Sequence, residues 1–268
     1  MDVVVDGAAA FVHTGGVEFA TDRPVVVLIH GAGQDHSHFR FHTRALAHAG
    51  IAALAVDLPG HGRSEGDVLD SVPGMASWVI RLLDALGVAS AVLVGHSMGS
   101  LIAIEAAAAF PDRVAGVVLT GTGASMPVHP DLQQSANDAD HLAVELISGW
   151  VHTGIDRLGH HPQPGSWTRG ITERLAEREL GRSLGKDLAA CSSFDAAARS
   201  AAVTAPVTMV IGTADVMTSA RAGRTLADTL PDVRVVELIG SGHNLVMDRP
   251  REVRTEIVAM VTRCFGSA

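Results

Sequence analysis

The chain predicts an α/β fold: a mostly parallel sheet with helices on both faces and a helical cap inserted over the carboxyl ends of its strands. Three observations carry this expectation. Short, nearly continuous apolar runs alternate with stretches of helical period, as expected for strands covered on both faces and joined by right-handed crossovers. One of these runs, 91–94, passes through Gly95-His96-Ser97-Met98-Gly99 directly into a helical pattern. One interval, from about 120 to 207, is far too long for a simple crossover.

The elements follow in order. Runs at 3–5 and 10–13 flank Asp6-Gly7 and suggest an antiparallel edge hairpin. Strand-like runs then occur at 25–29, 52–56, 91–94, 116–120, 207–211 and 234–238, with helical patterns at 38–49, 75–86, 101–110, 220–229 and 252–264. Trp78, Ile80, Leu82 and Leu83 lie at helical spacing and read as core. The long interval is polar, helical at 132–147 and 172–180, and interrupted by Pro127, Pro130, Pro162, Pro164 and Gly165. It reads as a cap at 123–204, inserted into a core made of 1–122 and 205–268, on the sheet edge where open α/β sheets place their sites.

Composition removes several classes of function. At 268 residues the chain is one domain of ordinary enzyme size. Its 20 Lys+Arg against 29 Asp+Glu give −9, which argues against a phosphate-backbone partner. No signal-type N-terminus and no membrane-length apolar run is visible, so a cytoplasmic protein with no membrane partner is expected. Cys191 and Cys264 lack metal-type spacing and read as reduced, buried thiols.

Gly-x-Ser-x-Gly occurs three times among 28 glycines, and context separates the copies. The copy at 62–66 lies in a Gly/Pro-rich loop, and the one at 181–185 follows a charged helical stretch. Ser64 and Ser183 therefore read as a solvated loop serine and a helix-end serine. Only Ser97 sits in the strand-turn-helix order that lifts a serine hydroxyl above a sheet beside a helix N-terminus. A serine needs a base, and the base needs an orienting partner. For a nucleophile on such a turn, the chain order is serine, acid, histidine. The run 207–211 leads through Gly212-Thr213-Ala214 to Asp215, and the run 234–238 leads through Ile239-Gly240-Ser241-Gly242 to His243. Asp215 is expected to orient, and His243 to act as general base and acid. After 116–120 no carboxylate occurs before Asp131, which favours Asp215. Asp248, at an Asp-Arg-Pro helix start, reads as a cap. The oxyanion donors are expected to be the backbone N–H groups of Met98 and Ala32, the latter in His30-Gly31-Ala32-Gly33, with Gly33 as the fallback. Gly31 and Gly33 let the loop approach substrate closely.

The elbow, the His-Gly turn at 30–31, the loop Asp57-Leu58-Pro59-Gly60-His61-Gly62-Arg63-Ser64 and the acid and histidine loops together resemble the α/β-hydrolase superfamily over nearly the whole chain. The resemblance implies an eight-stranded sheet, no cofactor, and Ser-His-Asp chemistry through an acyl-enzyme. Serine at 97 sets the chain apart from the dehalogenase and epoxide-hydrolase branches, which use aspartate there. The resulting expectation is a serine esterase of small to medium carboxylic esters, its partner a small-molecule ester. A carbon–carbon bond hydrolase, lactonase or perhydrolase with the same triad is the alternative, and a ligand-binding receptor is the reading outside enzymes.

Fourteen histidines raise the question of metal. His36, His38 and His42 cluster in sequence, and His160 and His161 are adjacent, but neither group has a completing ligand at recognisable spacing. No metal is expected, and the first three read as exposed histidines near a pocket rim. His96 reads as structural. Trp150 and Trp167 of the cap are candidates for the substrate pocket.

Overall fold

A computed structural model of the chain describes residues 1–153 and 166–266. The adjacent His160 and His161 lie outside the described residues. One sheet of eight strands runs through the molecule: β1 (Asp2–Val5), β2 (Ala8–His13), β3 (Val25–Ile29), β4 (Ala52–Val56), β5 (Ala91–His96), β6 (Val114–Thr120), β7 (Val207–Gly212) and β8 (Val233–Leu238). Their spatial order is β1-β2-β4-β3-β5-β6-β7-β8. β1 and β2 form the antiparallel hairpin expected around Asp6-Gly7, where both residues have positive φ. β2 is antiparallel to β4, and every later pair is parallel.

Side-chain alternation divides the core. Val25, Val27, Ile29, Leu54 and Leu93 pack on one face with α2 (Val72–Ala85) and α3 (Met98–Ala109). Val26, Leu28, Ala55, Val92 and Val94 pack on the other, against α1 (Thr43–His48) and α11 (Pro250–Phe265). Both faces are thus covered, which is why these strands are apolar at every position. β8 departs from that expectation. It is an edge strand with all six positions at least partly exposed and the charged Arg234 and Glu237 among the exposed ones. Arg224 bonds Glu237 there, and Arg234 pairs with Glu256, which blunts an edge that could otherwise pair with another chain.

Between β6 and β7 lie α4 (Pro130–Asn137), α5 (Leu142–Val151), α6 (Thr168–Glu179), α7 (Leu184–Ser193) and α8 (Ala196–Ser200). They have a small apolar core of their own, with Leu132, Val144, Ile147, Ala176, Leu184 and Leu188. The helical run read at 132–147 is two helices, because Ala139 takes a positive φ of 54° and the chain turns at 138–141. The run read at 38–49 is likewise broken into a 3-10 turn, His36–Phe39, and α1. α9 (Ala220–Ala227) and the short α10 (Leu245–Asp248) complete the described helices. Asp248 closes α10 and is buried, its carboxylate 3.7 Å from His152, so it does not cap a helix start as expected. Among the described residues no helix is long and apolar enough to cross a membrane.

The sharpest constraint lies where β5 meets α3. A Cβ on Gly99 would collide with the carbonyl oxygen of Ile29, and one on Gly95 with that of Gly99. Both obstacles are backbone, one in β3 and one in α3, so neither can move without shifting that element. Gly99→Ala should cost at least about 2 kcal/mol of unfolding free energy, the scale of overpacking in a close-packed interior. Urea denaturation of the variant beside wild type measures it, and a midpoint within error of wild type would refute the account.

Candidate active site

Ser97 stands between β5 and α3 with φ 53° and ψ −118°. Such a conformation costs a non-glycine residue about 1–3 kcal/mol unless its surroundings impose it. Here they do. Its N–H donates to Thr120 O (2.9 Å), while the Ser100 hydroxyl lies 2.8 Å from Gly95 O and 3.0 Å from Thr120 O. Of residues 91–100 only Ser97 is not buried. The turn thus aims one side chain out of an otherwise closed layer.

Asp215 follows β7, and His243 follows β8. Their loops touch: Ala214 N–H donates to Ser241 O (2.9 Å), and a Cβ on Gly212 would strike the Gly242 carbonyl oxygen. His243 Nδ1 lies 2.8 Å from Asp215 Oδ2, with both side chains buried. A carboxylate only accepts, so Nδ1 is the donor in this bond. Asp215 also accepts from the amides of Met217 (2.8 Å) and Thr218 (2.9 Å) and from the Thr218 hydroxyl (2.7 Å). Burial alone would raise its pKa. The His243 charge and hydrogen bond, with the Thr218 donors, outweigh burial and hold it below the usual carboxylate value. Asp215 does not cap the next helix, since Ser219 does that by accepting from Ala222 N–H.

Ser97 and His243 line a cavity of about 300 Å³ whose wall also includes Gly31, Ala32, Trp150 and Thr218. A Cβ on Gly31 would lie 3.2 Å from Ser97 Cβ, so glycine is what lets this loop approach the serine. Gly31 N–H donates to Gln34 Oε1 (3.1 Å), and Gly33 N–H to Asp187 Oδ2 (2.9 Å). Ala32 N–H has no acceptor among the described residues. Met98 is the first residue of α3, so its N–H has no intrahelical partner. Gly33, the expected fallback donor, is committed to Asp187 and does not line the cavity. Trp167 does not line it either: it is 60% exposed at the start of α6.

The rest of the lining is largely apolar. Met126, Leu132, Ile147, Leu188 and Met217 contribute, together with Cys191, whose thiol pKa burial drives up and keeps neutral. Both cysteines are free, though Cys264 is only half-buried. Thr218 and Cys191 were not singled out by sequence. An Asp-x-x-Thr spacing, which lets a threonine return to the aspartate beginning its own turn, is the signal that marks Thr218.

Of the three histidines read as rim residues, His36 is partly exposed and the other two are interior. His38 and His42 are 1% and 0% exposed, and His38 stacks on His96 with ring centroids 4.6 Å apart. Burial, followed by His38 and His243 beside it, holds the His96 pKa well below that of a free imidazole. Asp35, His36 and Asp57 bring ligand-type atoms within 4.8 Å of one another, but protein donors already use them. Asp57 bonds His36 and the Arg63 amide, and Asp35 bonds Ser37 and Arg178. Ser64 and Ser183 are buried rather than solvated. The Ser64 hydroxyl donates to Asp57 O (2.6 Å), and that of Ser183 to Glu179 (3.2 Å).

This geometry is a nucleophile elbow, an acid loop and a histidine loop at the carboxyl edge of one parallel sheet, and a model of the alpha/beta hydrolase family matches residues 26–256. The chain belongs to the alpha/beta hydrolase family. Other members resemble it to different extents. A pimeloyl-acyl-carrier-protein methyl ester esterase of Aromatoleum aromaticum is 28% identical over 251 residues, 86% of this chain and 95% of that one. A 2-hydroxy-6-oxononadienedioate/2-hydroxy-6-oxononatrienedioate hydrolase of Burkholderia vietnamiensis is 35% identical over 132 residues, 47% of this chain and only 45% of that one. In fold, the enol-lactonase of Burkholderia xenovorans LB400 superposes with a TM-score of 0.86 at 22% identity, covering 98% of this chain and 100% of that one.

Buried neutral histidines make such a hydrolase sensitive to acid. Burial, reinforced by the Arg254 charge, lowers His42 from 6.5 to about 4, although its ring also bonds Val246 O. The unfolded chain therefore binds this proton first. The stability that depends on a neutral His42 is full above pH 6.5 and is lost as pH falls through 6.5 towards 4. His42→Asn should flatten the acid limb of unfolding free energy by about 2–3 kcal/mol between pH 7 and 4.5, from 1.36 kcal/mol per pKa unit. Denaturant titrations at both pH values measure it, and parallel limbs would refute it.

Proposed function

We propose that this hydrolase cleaves small to medium, uncharged carboxylic esters through an acyl-enzyme on Ser97. The observation that carries the proposal is the buried Asp215–His243 pair opening, with Ser97, into one largely apolar cavity. In this reading His243 takes the Ser97 proton as Oγ attacks the ester carbonyl. The Ala32 and Met98 amides bind the oxyanion, and His243 then protonates the departing alcohol. Water, deprotonated by the same nitrogen, releases the acid and restores Ser97. Asp215 holds the ring and offsets its transient positive charge. A cytoplasmic setting is part of the same reading, in keeping with two free cysteines.

The lining supports an ester over a carbon–carbon substrate of the dienedioate type, which carries two carboxylates. Among the described lining residues there is no Arg or Lys to hold either one. Hydrolysis of p-nitrophenyl esters from acetate to decanoate, by wild type and Ser97→Ala in parallel, tests the proposal. The variant should lose about 10³-fold or more in kcat. Turnover of a dienedioate in preference to all esters would move the reading to carbon–carbon hydrolysis, and no turnover at all would favour a receptor.

The two tryptophans should separate cleanly. Trp150→Ala should raise KM for the longer esters about tenfold, since each buried methylene is worth ~0.8 kcal/mol. Trp167→Ala should leave the chain-length profile unchanged. Equal effects of the two substitutions would mean that Trp150 does not shape the pocket.

A further inference from the structure

Asp187, on α7, is fully buried and faces two segments of the sheet domain that are distant in sequence. Its Oδ2 accepts the N–H of Gly33 (2.9 Å) and lies 2.9 Å from His61 Nε2. The other His61 nitrogen, Nδ1, lies 3.0 Å from Pro59 O. A carbonyl and a carboxylate only accept, so both nitrogens carry protons and His61 is an imidazolium. This agrees with the direction of its pKa. Burial would lower it, but the charge and hydrogen bond of Asp187, with Glu179 further off, raise it overall. Asp187 Oδ1 has no hydrogen-bond partner among the described residues. A dry carboxylate this poorly satisfied is expensive to keep unless its charge is used.

Its position beside Ala32 shows a use. Two peptide units meet at the Ala32 Cα. In the first, Gly31 O lies 2.9 Å from His30 Nδ1, and His30 Nε2 accepts the Leu58 N–H (3.2 Å), so Nδ1 is the donor. In a trans peptide the Ala32 N–H points opposite to that carbonyl, so His30 fixes its direction from behind. The second unit, containing Gly33 N–H, is held by Asp187. Further along, Arg178 of α6 pairs with Asp35, whose side chain accepts from Ser37 N–H at the start of the 3-10 turn. The helices between β6 and β7 therefore fasten the loop after β3 at two points.

We infer that Asp187 is a positioning residue for catalysis: paired with the buried His61, it locks the peptide after Ala32 so that the Ala32 N–H stays aimed into the cavity. The inference rests on the reading of Ala32 as an oxyanion donor. Asp187 touches no reacting atom. It acts through a charge-assisted bond to backbone, about twice as strong as a neutral one, at a place where misplacement by about 1 Å can cost roughly 10²-fold in rate.

The test is the rate at which an alkyl fluorophosphonate labels Ser97. In that reaction Ser97 Oγ bonds phosphorus, fluoride departs, His243 takes the serine proton, and the phosphoryl oxygen occupies the oxyanion site. No knowledge of the natural substrate is needed. Asp187→Ala should label about 10–100-fold more slowly, and for any ester the wild type turns over, kcat should fall alike with KM within about threefold. Asp187→Asn, which keeps an acceptor for Gly33, should recover the rate to within about fivefold of wild type. If Asp187→Ala does not fold, Asp187→Ser, too short to reach Gly33, carries the same expectation. Thermal midpoints are recorded in parallel. A variant whose midpoint falls while its labelling rate holds would reduce Asp187 to a structural contact and overturn the inference. A wild type that is not labelled at Ser97 would instead overturn the catalytic reading, and the inference with it.

Discussion

The approach of β5 and α3 to the carbonyls of β3 is the constraint on which the site depends. Glycine at 99 permits it, because a side chain there would meet the Ile29 oxygen, and glycine at 95 lets α3 lie against β5, where a side chain would meet the Gly99 oxygen. That approach forces Ser97 to positive φ and brings the Gly31 loop beside the serine. Strain at Ser97 is thus a consequence of close packing and persists because backbone bonds to Thr120 and the flanking buried layer leave the turn no alternative. Loosening the approach would relieve the strain and lose the nucleophile's exposure together.

Two buried carboxylates near the cavity illustrate how environment divides labour. Asp215 accepts four hydrogen bonds from three residues, His243 among them, so its charge is well compensated. Among the described residues Asp187 has Gly33 and His61 on one oxygen and no partner on the other. The first arrangement surrounds the carboxylate with donors that keep it ionised beside His243. The second holds a histidine that is already doubly protonated by geometry, and its net effect is rigidity. His96 packs against the His243 ring and His38 stacks on His96, where burial holds both below the usual imidazole pKa and a further charge would be costly.

Sequence reasoning reached the sheet and the three side chains of the elbow, acid and histidine loops because each is a local signal: an apolar run of strand length, a glycine-flanked turn, a polar residue at its end. The helix read at 38–49 failed for a nonlocal reason. His36 through Phe39 fold onto Asp57 and the sheet, with Asp35 capping the turn, and apolar periodicity does not register such contacts. Ser64 and Ser183 were judged by their local surroundings and His38 and His42 by residue type; Ser64, His38 and His42 meet Phe11, His96 and Val246, partners far away in the chain, while Ser183 is buried with its hydroxyl on Glu179 one turn before it. Trp167 was a pocket candidate on composition alone, yet its ring lies against Gly170 of its own helix and faces solvent. Asp187 carried no signal at all. It lies 154 residues from the amide it holds, in a helix whose pattern gives no hint of a core-facing acid.

The helices between β6 and β7 supply the cavity with Ile147, Trp150, Leu188 and Cys191, and the same helices hold the loops after β3 and β8. The Val151 carbonyl accepts the His243 N–H (3.1 Å), Arg178 pairs with Asp35, and Asp187 binds Gly33. On α7 these two duties share a few residues. Cys191 faces the cavity one turn beyond Asp187, and Leu188 is its immediate neighbour. An i, i+4 pair sits on one helix face, so rotating or sliding α7 to admit a bulkier substrate would draw Asp187 off Gly33. Pocket volume and the position of the Gly33 amide beside Ala32 are therefore mechanically linked. Side-chain truncation at Leu188 can enlarge the pocket without that penalty, whereas helix movement cannot. Changes of specificity in this chain should come more readily from side-chain size on a fixed frame than from redrawing the frame itself.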